Sequence, residues 1–156
     1  LNDLPNPVLV DQFLETFGVL AALTAKNAIN TANADHLIQL KKLVVQLADE
    51  SVDLEGMQPR WREFMETLSE IADNLVVRLI SNDLKAQFVD QMMRLGIRPD
   101  LKKSSIKRLI SSLRVSINKK DGELASEAML EHFEELRTAM SEAIGLKASE
   151  IRKMAV

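Results

Sequence analysis

Apolar residues recur along this chain in steps of three and four, and nowhere alternate as a half-buried strand requires. Asn6-Pro7 reads as an N-cap followed by proline at the first helical position. The spacing predicts a first helix from Pro7 to about Ile29, with Phe13, Phe17, Leu20 and Leu23 or Thr24 along one face. The turn NTANAD, residues 30–35, is rich in capping residues. A second helix follows to about Asp49, with Leu37, Leu40, Val44 and Leu47 on one side. ESVDLEGMQP, residues 50–59, reads as a loop holding Gly56 and Pro59.

From Pro59 to Gly96 the pattern is helical almost throughout, and Gly96 suits the residue just past a helix end. That run is long for one globular helix, which places a break near Asp73-Asn74. IRPDLKKSS is a loop with Pro99, and Ser104 or Ser105 can cap a helix from about Ile106 to Lys119. Its apolar face is Ile106, Leu109 or Ile110, Leu113 and Ile117. Asp121 then caps a helix to about Ile144, and a short tail helix follows Gly145. The expectation is all-α: an antiparallel helical bundle of about six main helices, residues 1–156 forming one domain.

Composition narrows the class. The chain has 156 residues, 46% apolar and 28% charged, enough to bury a sizeable core and unlike a disordered polymer. No uninterrupted apolar run reaches the roughly 18 residues of a membrane span, so no membrane partner is expected. A net charge of −3 argues against nucleic-acid binding by this piece itself. With no cysteine there is no disulfide and no thiolate metal site, and a cytoplasmic location is the default expectation. The chain starts at Leu1 rather than Met, which suggests a missing upstream part.

Charge divides the last third sharply. Residues 101–120 carry seven basic side chains and no acid, while residues 121–142 carry seven acids against Arg137 alone. The bland reading is two solvated faces attracting one another across a helical hairpin. A phosphate-binding surface is the sharper alternative, but interleaved aromatics and a glycine-rich loop are both missing.

His132 is the candidate for chemistry. It shares a helical stripe with Ala125, Met129, Leu136 and Met140, so its ring should point inward, where a polar group needs a partner. Three readings stay open: a core histidine bonded to a carbonyl or an acid, a metal ligand, or the remnant of a site that has lost its other members. His36, beside Asp35 at a helix start, reads as exposed and uninformative. No nucleophile–base pair is suggested by spacing, and phosphate-loop and dinucleotide fingerprints are absent, so no enzyme is expected.

Three segments together resemble the FCD family, the helical effector-binding domain attached to GntR-type transcription regulators. WREFMETLSEIADN resembles the family's central helix, with Phe64, Leu68, Ala72 and Asn74 in register. IKRLISSLRVSINKKDGELASEAMLEHFEEL supplies Ile117, Asp121, Ala125, Met129 and His132 at the spacings of its last two helices. LETFGVLAALTAKNAINT and the leucine-bearing helix after it resemble its first two. The likeness runs from about Val8 to Ala143.

The departures concern the metal. Family members that hold one use an aspartate and three histidines converging inside the bundle. By resemblance the aspartate falls on Trp61, the first histidine on Met65 and the second on Ile110; only the third survives, as His132. One neutral imidazole cannot hold a divalent cation that needs three or four protein ligands, so neither metal nor other cofactor is expected. The family's first-helix Glu and Arg positions fall on Phe17 and Phe13.

The resemblance therefore implies a cavity walled by Trp61, Met65, Ile110 and His132. Arg114, one turn after Ile110, either faces inward to meet a ligand carboxylate or lies on the surface of the basic helix. Trp61, the only tryptophan, is either pocket wall or core with its indole N–H reaching solvent. The function implied is a ligand-sensing, homodimerising domain for a small, partly apolar effector, with DNA met only through a winged-helix domain upstream. The alternative is an interaction or scaffold bundle whose core is filled.

Overall fold

A computed structural model describes residues 5–49 and 52–155. Six α-helices make up the described residues: α1 (Pro7–Thr31), α2 (Ala34–Leu47), α3 (Leu54–Ala72), α4 (Leu75–Arg94), α5 (Lys103–Lys119) and α6 (Gly122–Met154). The all-helical bundle matches the expectation from periodicity.

Most helix ends are set by local chemistry that the sequence carries openly. The Asn6 side chain accepts from the Val8 N–H at 2.9 Å, with Pro7 opening α1. The long run after Pro59 does break at Asp73-Asn74: Asp73 takes a left-handed conformation at φ 51°, and the Asn74 side chain caps α4. Gly96, at φ 67°, ends α4; its N–H donates to the Met93 carbonyl at 3.1 Å and that of Ile97 to Met92 at 3.0 Å. This pair of bonds satisfies carbonyls a helix end leaves open, and a positive φ there favours glycine.

Four details differ from the periodic reading. Residues 50–59 were expected as loop; residues 50 and 51 lie outside the described residues, and α3 already begins at Leu54. Asp53 caps it by accepting from the Gly56 N–H at 2.8 Å. Pro59 lies inside α3, where its missing N–H leaves only the exposed Glu55 carbonyl without a helical partner. Helix α5 starts at Lys103, ahead of Ser104 and Ser105: the Lys102 carbonyl accepts from the N–H groups of Ser105 and Ile106, with no side-chain cap. Gly145 does not break α6, which runs unbroken to Met154; an interior glycine costs roughly 1 kcal/mol, too little to end a helix packed up to Ile144.

The fourth difference is the inward face of α1. Leu23 is exposed and Leu20 half-buried, whereas Ala21, Ala22, Ala25 and Ala28 are buried. These small residues let α6 lie close along α1. The two helices run antiparallel: Asp11 pairs with Arg137, and Lys26 with Glu123. At the far end Gly122 sits against Asn30 and the Lys26 carbonyl.

Two apolar clusters result. One joins Ala25 and Ile29 to Leu40, Phe64, Leu113 and Met129, drawing on α1, α2, α3, α5 and α6. The other joins Leu14 and Phe17 to Phe88, Met92, Met140 and Ile144, and Phe133 packs against both clusters. By length and composition α1 alone, among the described residues, could cross a membrane, with a mean hydropathy of 1.5. Its burial against both clusters accounts for much of that apolar character.

The charge contrast resolves into a hairpin contact. Arg108 of α5 reaches Glu131 of α6 at 3.0 Å and also bonds Glu135. Opposite signs on neighbouring helices attract one another, as the bland reading holds.

Candidate functional site

Helix α6 carries His132 between the two apolar clusters, half-buried. Its ring meets the Trp61 indole edge-on at 5.5 Å between centroids and the Phe133 ring at 5.3 Å. Trp61 in turn lies 5.9 Å from the Phe64 ring. The imidazole is thus packed among aromatic rings. Burial pushes its pKa below the usual 6.5, with the nearby Glu135 carboxylate opposing that shift. Burial thus favours its uncharged form.

Of the sequence candidates, Trp61, Met65 and Ile110 all join the first apolar cluster, Ile110 buried and the other two in part. His132 touches Trp61 directly. Arg114 does not face them. The buried arc of α5 is centred on Leu109, Leu113 and Ser116, which leaves Arg114 exposed at its edge. The inward placement considered for Arg114 is therefore not adopted.

The space beside His132 is small. An indentation of about 10 Å³, edged by Arg108, Glu131 and Glu135, borders the ring. That is about the room one water needs. Among the described residues no cluster of three His, Cys, Asp or Glu side chains is placed to hold a metal ion. Where family members with a metal place an aspartate and two histidines, Trp61, Met65 and Ile110 offer at best a weak thioether donor. These residues do not fit a divalent cation.

A larger cleft opens on the other side of Met65. It measures about 220 Å³ and lies between α1, α3 and α4. Phe17, Ala21 and Thr24 of α1 line it at steps of four and three, so one stripe of that helix forms its floor. Met65, Glu66, Ser69 and Glu70 supply the α3 wall. Arg78, Ser81, Asn82 and Lys85 supply the α4 wall, again at helical spacing. Met65 is the one sequence candidate that borders this cleft.

Sequence reasoning missed the α4 wall. Its signal was present in NLVVRLISNDLK, where polar residues recur at three- and four-residue steps within an apolar segment. The apolar residues between them, Leu75, Val76, Leu79 and Ile80, stay exposed, so apolar spacing does not mark the inward face of this helix.

An all-helical bundle with a cleft between its first, third and fourth helices is the class of molecule this geometry defines. The family model described as FCD domain matches residues 12–135, and the chain belongs to that family. FCD domains are regulatory ligand-binding domains of GntR-type regulators. Neither the curated proteins nor the solved structures yield a match to the chain.

Proposed function

We propose that this chain is the ligand-sensing and dimerising domain of a GntR-like transcription regulator, and that it binds a small, partly apolar effector without a metal. The observation that carries this reading is the cleft of about 220 Å³ beside Met65, a position where the family resemblance implies a metal-binding histidine. An apolar floor with a polar mouth is the usual build of a small-molecule site. Met65 would touch the effector. Trp61, Ile110 and His132 would form the packed wall behind it, and Arg114, exposed on α5, stands apart.

DNA would be met through a winged-helix domain upstream of Leu1, in the cytoplasm. The effector acts by population shift, favouring one placement of two DNA-reading heads by its differential affinity for two arrangements of the bundle. The exposed apolar row Leu75, Val76, Leu79 and Ile80 on α4 supports the pairing of two copies.

A metabolite panel tests the reading, with thermal midpoint and Trp61 emission as readouts. A ligand present at about 100 times its Kd stabilises the fold by about 2.7 kcal/mol, an easily measured rise. The near-filled space beside His132 favours a second reading, an interaction bundle without a small-molecule ligand. A panel that leaves both readouts unchanged would decide for it.

A further inference from the structure

The mouth of the α1–α3–α4 cleft carries both signs of charge, separated by helix. Glu66 and Glu70 stand one turn apart on α3, while Arg78 and Lys85 stand two turns apart on α4. Their helices are joined by the tight Asp73-Asn74 turn, so an acidic row faces a basic row across the cleft. Oppositely charged rows so placed would ordinarily close on each other. None of these four side chains has an ion-pair partner within 4.0 Å among the described residues. Elsewhere the molecule does pair its charges across helices, as Arg137 with Asp11 and Arg108 with Glu131 show. The cleft separates the rows, and Phe17 and Ala21 on its floor with Met65 on its α3 wall give it an apolar patch beside Thr24.

We infer that this cleft takes a zwitterion with an apolar tail, the chemistry of a free apolar amino acid. The ligand's ammonium group meets Glu66 and Glu70, and its carboxylate meets Arg78 and Lys85. Its tail lies on Phe17, Ala21 and Met65. Ser69, Ser81 and Asn82 add hydrogen-bonding groups between the two charged rows. A guanidinium can hold a carboxylate through two parallel bonds, which makes Arg78 the anchor and Lys85 the supporting charge. A simple carboxylic acid would leave the acidic row facing its anion, and a simple amine would leave the basic row facing its cation; each loses one attraction and gains one repulsion. The inference rests on the effector-binding reading above and assigns that effector its chemical class.

Titration calorimetry on the chain tests it with L-leucine, 4-methylpentanoate and 3-methylbutan-1-amine, which share a tail and carry both charges, the negative one and the positive one. L-methionine and L-phenylalanine are titrated alongside to vary the tail. The expected result is saturable binding of at least one amino acid, with its single-charge analogues weaker by about tenfold or more, the size of one lost charge-assisted contact. Arg78→Gln should weaken the amino acid but not the amine, whose repulsion it relieves, and Glu70→Gln should weaken the amino acid but not the acid, for the same reason. Neither residue has an ion-pair partner among the described residues, so thermal midpoints of the variants should stay at the parent value. The inference is overturned if the acid or the amine binds as tightly as the amino acid, or if neither substitution alters binding. It is also overturned if no amino acid binds while another compound raises the midpoint, and that outcome leaves the effector reading standing. A panel in which nothing binds overturns both.

Discussion

The imidazole of His132 and the indole of Trp61 meet edge to face at 5.5 Å, on helices α6 and α3. This contact joins the surviving polar ring of the implied ligand set to the aromatic residue at the aspartate position. Burial disfavours the imidazolium, so the neutral ring is the form this contact holds most readily.

Stability should therefore depend on pH near neutrality. The folded pKa of His132 lies below its unfolded value of about 6.5, so the unfolded chain binds the proton more readily. Stability is complete above that value and falls as pH drops through it, levelling off once the folded ring is also protonated. Denaturant midpoints followed by Trp61 emission between pH 8 and pH 5 would check this, because Trp61 is the only tryptophan. His132→Phe should abolish the decline; persistence of the decline in that variant would assign it to another group.

A second pH window belongs to Asp11. Arg137 donates to both its carboxylate oxygens at 2.8 Å, and that bidentate contact holds the Asp11 pKa below the usual 3.8. Here the sign reverses: the stabilising pair persists above the unfolded value and is lost as pH falls through the folded one. Asp11→Asn should remove this acid-range loss and lower the thermal midpoint modestly at neutral pH, more so at low salt because the pair is partly exposed. An unchanged midpoint at both salt concentrations would show the clamp to be energetically idle.

Helix junctions should respond in opposite directions. A Cβ at Gly122 would lie 2.7 Å from the Lys26 carbonyl and 2.5 Å from Asn30 Oδ1. Gly122→Ala must push α6 away from α1 and should cost about 1–3 kcal/mol, the usual range for overpacking. Two residues earlier Lys120 sits in the left-handed region at φ 52°. Lys120→Gly relieves that conformation and should stabilise by up to about 1 kcal/mol after the entropy of glycine is counted. Chemical denaturation of the two variants measures both.

Metal should not bind stoichiometrically. Titration with zinc or nickel is expected to leave the thermal midpoint and the Trp61 spectrum unchanged, since a single imidazole offers one ligand where at least three are needed. Tight one-to-one binding that disappears in His132→Ala would reverse this prediction.

The fold was legible wherever a signal was local. Asn6-Pro7, Asp73-Asn74, Gly96 and Asp121 each announce a helix end by their own chemistry, and each stands where it was expected. Ends that depend on context were not legible: Lys102 starts α5 with its carbonyl alone, and Pro59 is tolerated because α3 is already capped at Asp53. His36, read as uninformative, accepts from the Asn33 N–H at 3.2 Å while its own N–H donates to Asn33, closing a reciprocal cap on α2. Of the cleft, the sequence named Met65 alone as a site candidate. Position by position, the family likeness led also to Trp61 and His132, which touch each other away from the cleft. The α4 wall of the cleft escaped because its lining residues are all polar, Arg78, Ser81, Asn82 and Lys85, while most apolar residues at that end stay exposed.

Helix α4 is held at one end by its two-residue joint to α3 and at the other by Phe88 and Met92. Its outer side carries Leu75, Val76, Leu79 and Ile80, and its cleft side Arg78, Ser81 and Lys85. Successive residues of a helix stand about 100° apart. A rotation of the whole helix that moved the Arg78 backbone relative to the cleft would therefore swing Val76 and Leu79 through the same angle on the outer side. On so short a helix the lining of the hollow and the greasy outer stripe belong to one rigid rod, and neither can be repositioned as a body without the other.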